Sequence, residues 1–498
     1  MENAPRRFNL VEEAWIPVVD VGRVSLRRLF SDPSLRALGG NPIQKISLMK
    51  LLLAIAQAAC TPKDDEEWKT LGAGGLADKA LAYLEEKKDL FWLYGERPFL
   101  QMPGIGRAAL QSFGAVAPDV ASGNTTVLNQ IHIENPLSDE DRALQLIVLG
   151  CYALGGKKTD NSVVLTSSYT GKSNAKGKAS TGKPGPALGF LGYLHSFMTG
   201  STLMETLWLN LMTERQLADV MVFTEGLGVP PWEHMPAGEN CECAQRLKNS
   251  YMGRLVSLSR FCLLNTNGLH YSEGIQHPSH KEGICDLSIA VDSSKEAKAI
   301  WADPEKRPWR QLTSLLSFFG AEQQRRFDCR QLRIGMPRAR NVVSTIGIWS
   351  GGLRVSSNAG EQYVAGMNDY VESEVQLNSQ WLGEAWFAIL KLEMGILEEM
   401  GNASYGAVMG YYKHFKMDGK KHAAGASNLY WQLAERKFQE LVDACDAKTD
   451  EQRLGLRRTY AGYVQRAYDA HAPRGTARQL EAWAAHRPNL GKFLATAE

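Results

Sequence analysis

Several places in this 498-residue chain gather side chains with chemical potential. Cys241 and Cys243, with His277, His280 and Cys285 downstream, offer zinc ligands, but their spacing matches no common closed site. The run GKASTGKP at 177–184 comes within one residue of a phosphate-binding P-loop, with Gly177, Gly182 and Lys183 in place. Such a loop next requires Ser or Thr for magnesium and a helix whose N-terminus cradles phosphate. Here Pro184, Gly185 and Pro186 follow and obstruct that helix. Other histidines, such as His132, His195 and His234, stand alone, and the HExxH and GxSxG motifs are absent. The sequence therefore points away from an enzyme and from a resident metal or cofactor.

What remains is positive charge without acid–base pairs. Residues 155–186 hold six lysines and one aspartate among Gly, Ser and Thr, and read as a long exposed loop. Its lysines suit the phosphates of a nucleic acid, or merely a solvated surface. The run RRFDCRQLRIGMPRAR, 325–340, has six arginines and one aspartate, fit either for phosphates or for internal salt bridges. In YYKHFKMDGKKH, 411–422, Lys413, Lys416, Lys420 and Lys421 interleave with aromatic residues, a mixture that can hold a single strand. It reads as an exposed interhelical loop. Arg254 and Arg260 fall on an expected strand leading to a turn at Asn267-Gly268.

The elements that must position these groups suggest an α+β chain, with a large mixed α/β domain over 1–375 and a four-helix bundle over 376–498. FNLVEEAWIPVV predicts an opening strand pair and GRVSLRRLF a strand turning into a helix. NPIQKISLMKLLLAIAQAAC predicts a buried helix with Pro42 in its first turn. Four amphipathic segments follow residue 376, opening at NSQWLGEAWFAILKLEMGILEEM, SNLYWQLAERKFQELVDAC, DEQRLGLRRTYAGYVQRAY and TARQLEAWAAH. Ahead of them, GGLRVSSNAGEQYVAG (351–366) follows a strand-like VVSTIGIW and predicts a strand–turn–strand with close backbone approach.

Composition sets the class. Hydrophobic residues make up 44% and charged residues 22%, ordinary for a globular protein, and a net charge of +2 leaves nucleic-acid binding to local patches. Eight scattered cysteines suit reduced thiols. The start lacks the apolar core of a signal peptide, and no apolar run spans a bilayer, so a cytoplasmic protein is expected.

An ordered set of landmarks carries a resemblance across essentially the whole chain: NLVEEAWIPV, IAQAACTPKDDEEW, FWLYGERPFLQMPG, TVLNQ at 126–130, the glycine- and lysine-rich loop, NGL at 267–269, GGLRVSSNAG and the terminal helices. Together they resemble the large, CasA-type subunit of the type I-E CRISPR surveillance complex, Cascade. The resemblance implies a non-nuclease subunit, working beside guide RNA and other Cascade subunits. It would read a short protospacer-adjacent motif on double-stranded target DNA from the minor groove, open the duplex to start the R-loop, help hold displaced single-stranded DNA, and help recruit a helicase-nuclease.

By the same resemblance, the motif-reading glycine loop matches Thr170, Gly171, Lys172, Ser173, Asn174, Ala175, Lys176 and Gly177, without the consecutive glycines the family can have. The basic groove residue matches Arg260. The wedge matches Ser357, Asn358 and Ala359, with Asn where a Gln is expected. Leu128 and Asn129 match a loop touching the guide RNA and neighbouring subunits. Lys413, Lys416, Lys420 and Lys421 are candidates for the displaced strand. The alternatives are a P-loop-like nucleotide-binding enzyme and a purely architectural scaffold.

Overall fold

The computed structural model describes residues 6–118, 137–152, 159–167, 169, 192–278, 286–292, 297–320, 327–358, 361–364, 369–446 and 450–494, with the backbone alone for 357, 358 and 361–363. The architecture is α+β, with two compact units. One comprises residues 1–309, 326–342 and 347–374; the other comprises 310–325, 343–346 and 375–498.

In the first unit, α1 (Pro42–Ala59) is the buried helix the sequence predicts. Asn41 caps it in a reciprocal box with Gln44, and Pro42 sits where no N–H partner is needed. Every residue from Ile46 to Gln57 is buried, so the helix is a core element rather than an amphipathic one. It packs against α2 (Asp65–Lys87) and α3 (Asp139–Cys151). Helix α2 kinks at Gly72, whose φ of 59° favours glycine.

Strand β1 (His195–Thr199) leads into α4 (Leu203–Asn210). Trp68 of α2 and Trp208 of α4 stack at 4.4 Å, and each indole N–H donates to the other's backbone carbonyl, at 2.8 and 2.9 Å. The pair thus buries two large aromatic surfaces with both polar atoms satisfied. A hairpin follows, β2 (Arg260–Asn265) with β3 (Gly268–Glu273).

Helix α5 (Arg330–Ala339) contains much of the arginine-rich run. Arg330 and Arg333 pair with Asp328, while the buried Arg338 lies over the Trp68 ring at 4.3 Å and pairs with Asp65 at 3.6 Å. Of the two readings of that run, internal salt bridges account for these three arginines.

Strand β4 (Thr345–Leu353) is central in a three-stranded sheet between β1 and the later β7. Between β4 and β7 lies a small two-stranded hairpin, β5 (Ser356–Asn358) and β6 (Glu361–Tyr363). Strand β7 (Tyr370–Asn378) returns the chain, and the unit boundary falls inside both β4 and β7.

The second unit is helical: α6 (Glu384–His414), α7 (Lys420–Glu435), α8 (Phe438–Ala444), α9 (Glu451–His471) and α10 (Ala477–Ala485). Helices α6, α7 and α9 pack mutually, and α10 packs on α6. Helix α6 runs on past Met400 to His414, and its glycines admit close neighbours. A Cβ on Gly401 would sit 3.0 Å from the Trp431 ring, which is how closely α7 approaches. Glu393, fully buried, accepts hydrogen bonds from Arg457, one at 3.0 Å.

Three local expectations are corrected. The opening segments Arg7–Asn9 and Ile16–Val18 are strands but do not pair with each other; they pair with Trp92–Tyr94 and Gly22–Val24. Between them Leu10, Val11 and Trp15 are fully buried, so the connection is a packed turn. The segment 427–445 is two helices, interrupted at Arg436-Lys437. YYKHFKMDGKKH is mostly helical: only residues 415–419 separate α6 from α7, with Lys416 at φ 58° making the reversal.

Candidate nucleic-acid interface

Three glycines in and just before the GGLRVSSNAG region are described. Gly347, Gly351 and Gly352 lie within β4, not in a turn. A Cβ on Gly352 would fall 2.7 Å from the Tyr193 carbonyl oxygen and 3.0 Å from the Ala302 Cβ. A Cβ on Gly351 would meet the Trp349 ring at 2.6 Å. Close approach was the correct expectation for them, and turn formation was not.

The turn comes later. Ser356, Ser357 and Asn358 pair in antiparallel register with Tyr363, Gln362 and Glu361. Asn358 facing Glu361 is the last pair of this register. Ala359 itself lies outside the described residues, and for Ser357 and Asn358 the backbone alone is described.

The neck of this excursion is closed by two bonds. The Arg354 N–H donates to the Asp369 carbonyl at 2.8 Å, and the Arg354 guanidinium meets Asp369 Oδ1 at 2.6 Å. Asp369 is buried while Arg354 is partly exposed. Between these two bonded residues lies the antiparallel pair Ser356–Asn358 and Glu361–Tyr363.

Arg260 opens β2 opposite Glu273 of β3, and the two residues are 2% and 0% exposed. Burial places Arg260 inside the protein rather than on a surface facing a groove. The turn of this hairpin is Thr266-Asn267, since Asn265 pairs with Gly268; the expected turn was one residue late. Arg254 lies on the short helix Met252–Leu255, not on a strand, and donates to the Lys248 carbonyl at 2.7 Å.

The zinc candidates do not converge among the described residues. His277 is buried, with Nε2 2.8 Å from the Ser257 carbonyl and Nδ1 3.3 Å from Arg254. The first bond needs Nε2–H, leaving Nδ1 to accept from the guanidinium. Cys241 Sγ accepts from the Ala244 N–H as a helix cap, and Cys243 donates to the His234 carbonyl at 3.2 Å. His280 and Cys285 lie outside the described residues, as do Leu128, Asn129, Thr170 to Gly177, and Lys183.

One end of the helical unit concentrates cations. Lys413, Lys416, Lys420 and Lys421 are exposed, and none has an ion pair among the described residues. Sequence reasoning missed their companions. Arg478 lies over the Phe415 ring at 5.4 Å, His414 meets His486 at 5.8 Å, and His422 stacks on Tyr412 at 4.3 Å. Four of the ten histidines, 414, 422, 471 and 486, belong to this end, a clustering late in the sequence that was a usable signal. Lys420 and Lys421 occupy the first turn of α7, where the helix dipole disfavours cations.

A cavity of about 340 Å³ in the first unit is lined by Leu38, Lys45, Phe197, Leu203, Trp349 and Glu372. Its polar lining is engaged internally: Lys45 pairs with Glu372, and the Trp349 indole N–H donates to the same carboxylate at 2.7 Å. Among the described residues no helix is long and apolar enough to cross a membrane.

Residues 9–468 match the family model described as CRISPR-associated protein Cse1. A curated relative, "CRISPR-associated protein CasA/Cse1" of Thermus thermophilus, is 30% identical over 243 residues, spanning 46% of this chain and 43% of the relative. The crystal structure of Thermobifida fusca Cse1 superposes with a TM-score of 0.76 at 20% identity, covering 98% of each chain. A chain of a "CRISPR RNA-guided surveillance complex" gives 0.68 at 15% identity, covering 99% of this chain and 100% of that one. These structural likenesses establish a shared fold.

Proposed function

The chain belongs to the CRISPR-associated Cse1 family, and from that premise we propose that it is the target-recognition subunit of an RNA-guided Cascade complex in the cytoplasm. It reads a protospacer-adjacent motif on double-stranded DNA, starts the R-loop, and performs no catalytic step itself. Guide RNA and neighbouring subunits supply the sequence reading, and a helicase-nuclease joins after strand opening.

The observation that carries this reading is the hairpin of Ser356–Asn358 with Glu361–Tyr363, above the bonded pair Arg354 and Asp369. Prying apart a base pair needs a narrow, rigid projection and hydrogen bonding, not proton transfer. The antiparallel pairing of Ser356–Asn358 with Glu361–Tyr363, above the Arg354–Asp369 bonds, supports that reading. Under this reading Ser357, Asn358 and Ala359 would enter beside the motif. Unstacking costs a few kcal/mol per step. Guide pairing then exchanges one duplex for another of similar stability, as in the RNA-guided effectors of another class.

The reading assigns motif contacts to the loop Thr170–Gly177, whose small residues would let backbone reach the groove floor. The minor groove distinguishes mainly A·T from G·C, so several motifs should be accepted. Leu128 and Asn129 would contact the guide-RNA end. Arg260 can serve the groove only by leaving its buried position on binding. Lys413, Lys416, Lys420 and Lys421 would track the displaced strand by charge, with neighbouring aromatics available for stacking.

The test is the pair Asn358→Ala with Ala359→Asp in the assembled complex. Copurification with guide RNA and partner subunits should be unchanged while target binding is lost. Unaltered strand opening in a permanganate footprint would sink the wedge assignment.

A further inference from the structure

Trp301 stands beside the stem of the hairpin. It follows the two-residue strand Lys298–Ala299 and forms an isolated antiparallel bridge with Tyr193, and the next residue, Ala302, donates its N–H to the Gly192 carbonyl at 2.7 Å. Gly192 has a φ of 108°, and a Cβ there would sit 3.0 Å from the indole and 3.5 Å from the Val355 Cβ. Val355 is the residue immediately before β5. The Tyr193 ring lies 4.9 Å from the indole centroid. These neighbours hold the ring in place, yet Trp301 is 45% exposed. At the same neck sits Arg354, whose side chain is 42% exposed.

A large aromatic ring, held by backbone and a second ring but left half open to solvent, is poor economy for a core and good design for a platform. Arg354 at the same neck is already engaged by Asp369, so the indole alone carries the contact. We infer that Trp301 is a stacking site for an unpaired nucleobase at the junction between duplex and single strand. The inference rests on reading the adjacent hairpin as the strand-opening element. Opening alone leaves a base free to re-pair, whereas stacking on the indole retains it. Stacking tolerates any base because each presents a π-face, which suits a subunit that must open targets of every sequence.

The experiment uses the complete guide-RNA complex and target DNA in which the first base pairs beside the motif are mismatched, with 2-aminopurine at the first unpaired position on either strand in turn. Trp301→Ala, Trp301→Leu and Trp301→Phe are compared. The native protein and the Phe variant should quench 2-aminopurine on one strand. The Ala and Leu variants should lose that quenching and bind the mismatched target about tenfold more weakly, the scale of one base–aromatic stack. The Leu variant keeps apolar cover over Gly192, so equal quenching by Leu and Phe would reduce the ring to packing and overturn the inference. So would quenching unchanged in all three variants. Failure of the hairpin reading is separable: the Asn358→Ala, Ala359→Asp protein would then open fully paired target normally, whatever the outcome on pre-opened DNA.

Discussion

Arg354 and Asp369 clasp the base of the hairpin twice, backbone to backbone at 2.8 Å and guanidinium to carboxylate at 2.6 Å. The first bond continues the β4–β7 pairing, and the second fixes a cation over a carboxylate that the chain has already buried. Replacing Asp369 by Asn keeps the shape and removes the charge. Because the Arg354 side chain is 42% exposed, the loss is expected to be modest, about 1 kcal/mol. Hydrogen exchange should quicken at the amides of 354–369 and stay unchanged in the helical unit. Uniform quickening of both units would contradict a local clasp.

Gly352→Ala tests whether β4 needs its glycines for packing. The added methyl would press on the Tyr193 carbonyl, which cannot move aside as a flexible side chain can. A loss of about 1–3 kcal/mol in urea unfolding is expected. A neutral result would mean that the strands relax apart without cost.

The buried pair of Lys50 and Asp286 is a third target. Burial alone would raise the Asp286 carboxyl, but Lys50 and the Ser288 hydroxyl outweigh it and hold the group down to about 2. Asp286→Ala strands the ammonium in the core and should cost about 3–5 kcal/mol. Adding Lys50→Met should recover part of that loss, which a double-mutant cycle measures.

Acid should destabilise the first unit from near neutrality. Burial pushes His195 and His277 down to about 3, from 6.5. Both folded values lie below the unfolded one, so between about pH 6.5 and 3 the unfolded chain binds more protons. Stability is therefore complete above 6.5 and falls on acidification, by up to about 1.4 kcal/mol per pH unit for each histidine. Urea midpoints at pH 7.5 and 5 should differ, and His277→Gln should shrink the difference. Asp286 adds to the acid loss only below about 4.

Charge reversal at the start of α7 should separate folding from binding. Lys420→Glu and Lys421→Glu put acids where the helix dipole prefers them, a gain of about 0.3–1 kcal/mol each. Under the proposed function the same variant binds displaced strand less tightly, with a shallower salt dependence. Stability and affinity moving in the same direction would remove these lysines from the strand path.

The sequence by itself determined the elements whose signals are local. Asn41, Pro42 and Gln44 write the start of α1 in three residues, because a cap needs only its own turn. The order of landmarks determined the family. Alternating strand signals and small residues located the hairpin. Tertiary structure decided what depends on residues distant in sequence. Arg260 looks like any surface arginine until β3 and its Glu273 lie against it. Gly351 and Gly352 read as turn residues until Trp349, Tyr193 and Ala302 crowd them. The partners of Arg354 and Trp301, 15 and 108 residues away, have no signature in the neighbouring sequence. Local periodicity reports which face is apolar; only packing decides what covers it, and therefore which polar or aromatic group is left facing the outside.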